Sequence, residues 1–114
     1  MALFASAFPI LPGKTDEWRA FIAELTGPRS REFAKSRRGA GVHERTFLQS
    51  TPMGDLVIVT LEGDDPVGAF RRMIEQDDEF TRWFLEQAQR VHGVDLTQPL
   101  PGPLPELVAD SEAG

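Results

Sequence analysis

The segment Val42 to Gln49, VHERTFLQ, gathers the side chains best suited to chemistry. In an extended strand successive side chains point to opposite faces, so His43, Arg45, Phe47 and Gln49 share one row and Val42, Glu44, Thr46 and Leu48 the other. The first row aligns an imidazole, a guanidinium, an aromatic ring and a carboxamide, a polar set of the kind that converges in a mostly apolar pocket. An imidazole titrates near neutrality, which suits His43 to general-base work. The Arg45 guanidinium suits a carboxylate or a developing enolate or phenolate oxyanion. Phe47 and Gln49 would contact the ligand, and Trp18, Trp83 and Phe84 would supply an apolar wall. His43 and Glu44 point apart and cannot form a dyad, so a carboxylate orienting His43 has to come from elsewhere, with Asp95 and Glu62 as candidates. The structural alternative has His43 at the strand start beside Gly41 and Arg45 in an ordinary ion pair.

Other chemistries find little support. His92 stands at a helix end, where the dipole favours its protonated form, and reads as a C-terminal cap before Gly93 rather than as a ligand. Neither HxH nor HExxH spacing occurs, so no metal site is expected, and no GxSxG supports serine hydrolysis. The chain has no cysteine, which removes disulfides, thiolate metal sites and cysteine nucleophiles and makes a reducing cytoplasm the simplest location. Gly13-Lys14-Thr15 ends like a phosphate-binding loop, but Phe8 stands where the loop's first glycine belongs. A net charge of -6 disfavours nucleic acid and anionic membrane as partners. The opening MALFASAFPILPGK has no basic residue before its apolar run, which is also too short to span a bilayer, so it reads as a mature strand.

The elements that must position these residues follow from periodicity. A length of 114 residues supports one core, expected over 1–110 with a frayed tail at 111–114. Alternation predicts a strand over Leu3 to Leu11. A helix capped by Thr15 then buries Trp18, Phe21, Ile22 and Leu25. A second helical piece, Pro28 to Arg38, turns Arg31, Lys35 and Arg38 to solvent. Val42 to Gln49 and Leu56 to Leu61 make a hairpin across the turn Ser50 to Asp55. Asp64 or Asp65 followed by Pro66 opens a helix burying Val67, Phe70, Met73 and Ile74. Asp77 or Asp78 caps the next, whose stripe is Phe80, Trp83, Phe84, Gln87 and Val91. Gln98 to Pro105 should be extended, and Glu106 to Ala109 is the candidate last strand. The order is strand, helix, strand, strand, helix, strand: an α+β chain with the split βαββαβ pattern of ferredoxin-like folds.

In Leu56 to Leu61 both alternating rows are apolar, and strand one shows the same feature. Helices in this topology all lie on one side of the sheet, so the other side needs cover, and a second copy in a twofold homodimer is the simplest source.

The segments FPILPGKTDEWRAFIAEL, GVHERTFLQ, GDLVIVTLEG, VHGVDL and GPLPELV, with the Trp83-Phe84 helix, resemble small bacterial proteins of unknown function, often actinobacterial, in the dimeric α+β barrel superfamily. The resemblance spans nearly the whole chain. It implies a barrel of two sheets across a dimer, with a cavity in each subunit between sheet and helices. Members of that superfamily include cofactor-free monooxygenases, polyketide cyclases, muconolactone isomerases and haem-handling enzymes, but none of their site motifs maps onto this chain. The expected function is accordingly a cofactor-independent isomerase, cyclase or oxygenase acting on an aromatic or polyketide-like molecule, with His43 as base and Arg45 as anion clamp. The alternatives are a non-catalytic module, ligand-binding or stress-related, and a haem-binding protein, since haem needs only one axial histidine.

Overall fold

The alternating segments become three strands, β1 (Ala2–Pro9), β2 (Val42–Thr51) and β3 (Gly54–Gly63), and the 3.6-period segments become four helices, α1 (Thr15–Thr26), α2 (Ser30–Ala40), α3 (Pro66–Glu75) and α4 (Glu79–His92). This computed structural model describes residues 2–99 and 103–112. The sheet order is β1-β3-β2 and both pairings are antiparallel, so β1 and β2 run parallel with β3 between them. Because α1 and α2 carry the chain from β1 to β2 across the intervening strand, the unit is a split βαβ. The architecture is α+β and compatible with a ferredoxin-like fold.

Register decides which side chains meet. Toward the helices stand the cross-strand rows Phe4-Leu61-Glu44, Ser6-Val59-Thr46 and Phe8-Val57-Leu48. On the opposite face stand Leu3-Glu62-His43, Ala5-Thr60-Arg45, Ala7-Ile58-Phe47 and Pro9-Leu56-Gln49. The core fills the space between the first set and the helices. One cluster joins Val57 to Trp18, Phe21, Leu25, Phe80 and Val91, and a second joins Val42 and Leu61 to Ala40, Ala69 and Met73. Aromatic edges tie α1 to α4, with Phe21 ring centroids 5.3 Å from Trp83 and 5.4 Å from Phe84.

Local chemistry explains the boundaries. The Asp65 carboxylate accepts from the Gly68 amide with Pro66 behind it, and Asp78 accepts from Thr81, so two separate capped helices stand here rather than one bent helix. Gly41 (φ 81°) and Gly93 (φ 72°) end α2 and α4 in the left-handed region. Thr15 does not cap α1: its hydroxyl donates to Asp55 at 2.6 Å and fastens the helix start to β3, while Lys14 occupies the cap position without a side-chain bond. The helix expected from Pro28 begins two residues later, at Ser30. The hairpin is tighter than its turn residues suggested, since Thr51 pairs with Gly54 and only Pro52 and Met53 bridge the strands. Val67, expected inside, is half exposed.

The C-terminal expectation needs correction. Among the described residues Glu106–Ala109 forms no strand, Leu107 and Val108 are exposed, and β1 has no strand on its outer side. Pro105 interrupts the run just before the segment, and a short polar-flanked stretch of four residues has little to gain from pairing alone. Positions 100–102 of the proline-rich connector and 113–114 of the tail lie outside the described residues.

Gly63 sits where β3 meets both neighbours, and a Cβ there would collide with the Gly41 carbonyl oxygen. Gly63→Ala should therefore destabilise the chain by about 1–3 kcal/mol, the usual cost of overpacking. Urea unfolding checks this, and an unchanged midpoint would contradict the packing at that end of the sheet.

Candidate functional site

Glu44 is the unusual member of the helix-facing rows. Strand alternation carries this carboxylate into the core along with Val42, Thr46 and Leu48, and a buried carboxylate requires a partner. Arg37, near the end of α2, supplies it: Nε donates to Glu44 Oε1 at 2.7 Å, and the two side chains are only 8% and 6% exposed. Arg37 Nη1 donates to Ser36 Oγ at 2.8 Å, Ser36 Oγ donates to Gln76 Oε1 at 2.8 Å, and Thr46 Oγ1 donates to Glu44 Oε2 at 3.2 Å. The guanidinium also lies over the rings of Phe84, at 4.7 Å, and Phe33, at 5.0 Å. Nη2 has no hydrogen-bond partner among the described residues.

This pair stands at one end of an apolar cavity of about 80 Å³ between the sheet and the helices. Val57, Val59 and Leu61 form its floor, and Trp18, Phe21 and Phe84 its walls. The volume holds more than one water molecule and is about half of the roughly 150 Å³ that takes a bare benzene ring, so an aromatic ligand enters only as the wall side chains move apart. With Arg37 and Glu44 cancelling each other, the site offers polarity without net charge. A neutral ligand fits it better than a carboxylate, which would meet Glu44.

His92 lines the same cavity. Its Nδ1 lies 2.8 Å from the Pro9 carbonyl oxygen, and since a carbonyl only accepts, Nδ1 carries the proton. The Phe8 ring packs beside it at 5.7 Å. Burial pushes the His92 pKa below its ordinary value, outweighing the Pro9 bond, which raises it. The dipole argument from sequence favoured the protonated form. In the structure desolvation prevails, and His92 is neutral at pH 7.

The residues singled out from sequence divide between the two faces. Trp18 and Phe84 line the cavity, whereas Trp83 packs against Phe21 and Phe80 beneath the Arg29 guanidinium, 4.4 Å away, and is not part of the lining. His43, Arg45, Phe47 and Gln49 all lie exposed on the face without helices. The hollow they were expected to line is therefore on the other side of their own strand, because the aliphatic ends Val42 and Leu48 win the core for the alternate row. Glu62 does lie directly across from His43 in register, but its carboxylate is 3.6 Å from Arg45 Nη1. Asp95 accepts from Thr97 instead. Arg31, Lys35 and Arg38 are exposed, as their shared polar face suggested.

Arg37, Glu44 and His92 are the site residues that the spacing argument missed. A signal existed for the first: Phe33, Ser36, Arg37 and Ala40 follow the i, i+3, i+4, i+7 spacing of a buried stripe. A larger, more open groove of about 520 Å³ runs along the outer edge of β1 beside α3 and residues 96–99, but it holds no comparable buried polar set. Among the described residues no three His, Asp or Glu side chains gather as a metal site, and no helix is long and apolar enough to cross a membrane. Compared with protein-family models, with curated proteins and with solved structures, the chain has no match.

Two outcomes follow from this geometry. Arg37→Met strands the Glu44 carboxylate in the core and should cost about 3–5 kcal/mol in urea unfolding, while Arg37→Met with Glu44→Leu should recover most of the loss. No loss in Arg37→Met would show the pair to be solvated, and a double variant no more stable than the single one would show that a stranded Glu44 is not the source of the loss. For His92 the folded pKa is the lower one, so its contribution is complete above the unfolded value of about 6.5 and is lost as pH falls below it. The melting temperature should drop between pH 7 and 5 more in the wild type than in His92→Asn, which does not titrate there. The carboxylates held low by hydrogen bonds, Asp55, Asp65, Asp78, Glu79 and Asp95, act only at lower pH and do not mask this window.

Proposed function

We propose that the chain is a cytoplasmic, homodimeric small-molecule-binding protein of the dimeric α+β barrel type, taking a neutral aromatic ligand in the cavity beneath its helices. The observation that carries this reading is a cavity with apolar floor and walls whose one buried charged pair is internally neutralised. A core built only for stability gains little from such a pair, because hydrophobic residues of similar volume serve at least as well. A polar end to an otherwise apolar hollow gives a bound ring its orientation. The cavity of about 80 Å³ does not admit a porphyrin without opening the core, so haem is not the ligand proposed.

The homodimer rests on the opposite face. Leu56, Ile58, Leu3 and Phe47 lie together there with no helix over them, and Leu3 and Phe47 are 62% and 52% exposed. Apolar surface of this kind on a monomer is a liability, and a twofold copy covers it with the same patch. In that arrangement His43, Arg45 and Glu62 form the polar margin of the interface. The catalytic reading, a cofactor-independent isomerase, cyclase or oxygenase, is then carried by His92, the neutral imidazole on the cavity, rather than by His43 and Arg45.

A thermal-shift series with single-ring neutral aromatics tests the ligand. At 100 times its Kd a ligand adds about 2.7 kcal/mol, a rise of roughly 10 °C for a domain this size. Neutral rings should stabilise the protein and benzoates should not. Stabilisation by benzoates alone would reverse the assignment of the cavity. Sedimentation should show a dimer that Phe47→Glu with Ile58→Glu converts to folded monomer, and a monomeric wild type would remove the second copy from the account.

A further inference from the structure

The sheet has two edges, and only one of them is defended. β2 carries Glu44 turned inward and Arg45 turned outward, and charges on an edge strand discourage another chain from pairing with it. β1 reads Ala-Leu-Phe-Ala-Ser-Ala-Phe-Pro, with no charge and an unbroken register, and only Pro9 at its end lacks an amide hydrogen. At that end the chain is fastened to α4, since Leu11 N donates to the Val91 carbonyl at 2.8 Å and His92 Nδ1 donates to the Pro9 carbonyl. From Ala2 to Phe8 no backbone bond reaches the outer side among the described residues, although an edge strand turns every second amide and carbonyl that way.

The same chain holds a segment in the complementary condition. Residues 106–109, Glu-Leu-Val-Ala, belong to no helix or strand and make no backbone hydrogen bond among the described residues, and Leu107 and Val108 are 76% and 84% exposed. On the helix side of the bare edge lies the open groove of about 520 Å³, walled by Phe4 of β1 and by Val67, Phe70 and Ile74 of α3. Leu104 lines it too, so the subunit's own arm touches the groove there, yet the next residues stand in solvent rather than on the edge. Arg71 and Glu75 are the charged residues of that lining, and Arg71 pairs with no carboxylate among the described residues, while positions 103–112 carry only negative charges. Size argues the same way. Eight residues across three strands make a face of about 400 Å², against the roughly 800 Å² that each partner of a stable complex commonly buries.

We infer that in the homodimer residues 104–109 of each copy cross to the partner and add a strand to the bare edge of its β1. Alternation then sends Leu107 and Val108 to opposite sides, one into the groove and the other beside Leu3 and Ala5 on the apolar outer face. This inference rests on the homodimeric reading above and adds to it the segment that ties the copies together. Four residues gain little from pairing alone, but contact between the two faces holds each arm near its edge and raises its effective concentration there.

Sedimentation of the full chain, as wild type and as Leu107→Asp with Val108→Asp, gives the first test. Both side chains are exposed in the single subunit, so the substitutions leave its core untouched, and they should raise the dimer dissociation constant by at least about tenfold. An unchanged constant in a dimeric protein would overturn the arm and leave the homodimer standing, whereas a monomeric wild type would overturn both. The second test uses the absence of native cysteine. Chains carrying Ala5→Cys with Val108→Cys, half of them labelled with nitrogen-15, are equilibrated together and joined with a short bismaleimide. Peptides linked through positions 5 and 108 should include pairs of one labelled and one unlabelled partner. Pairs of like label only would place the arm on its own subunit's edge, and no such link would place it on neither; each result would overturn the inference.

Discussion

A carboxylate on the wrong side of a strand is the constraint on which this structure turns. Glu44 alternates with residues that must face the helices, so folding β2 against the core carries the charge inside. Arg37 then has to be brought within hydrogen-bond reach, which fixes the end of α2 over the start of β2, seven residues away in sequence. Ser36, Thr46 and Gln76 complete the network and draw α2 toward α3. The cavity opens beside this pair, with Arg37 and Glu44 in its lining.

The two faces of the sheet do different work, and β3 shows why. Its inner residues Val57 and Leu61 are almost completely buried by helices, whereas Leu56 and Ile58 on the outer row are shielded only by neighbouring strands. A central strand that is apolar on both sides suits a sheet covered twice. Within one chain the helices cover one side only, and the mixed outer face, apolar in its middle and charged at the His43–Arg45–Glu62 end, has the layout of a patch with a polar margin.

Most of the fold was legible in the sequence because the signals are local. Asp65-Pro66 and Asp78 mark helix starts by capping chemistry, Gly41 and Gly93 mark helix ends by their backbone freedom, and the stripes through α1 and α4 fix their buried faces. The facing of β2 was not legible, since each of its rows mixes apolar and polar residues, and a row containing His and Arg looks more like a site than one containing Glu and Thr. Val42 and Leu48 take the second row into the core, and that outcome is tolerable only because the tertiary arrangement brings Arg37 to neutralise Glu44. For the same reason His92 read as a cap: its approach to Pro9 spans 83 residues, a contact that no spacing rule anticipates. The last strand failed differently, as its residues favour extension but find no neighbour within the subunit among the described residues.

The two tryptophans offer the most direct measurement of where a ligand goes. Trp18 lines the cavity, Trp83 packs outside it under Arg29, and each indole N–H gives its own resonance in a nitrogen-edited proton spectrum. Titration with a neutral single-ring aromatic should move the Trp18 indole together with the Thr46 and Val59 amides while leaving the His43 and Phe47 amides in place. Shifts confined to His43, Arg45, Phe47 and Gln49, with Trp18 silent, would place the ligand on the open face and contradict a binding cavity beneath the helices.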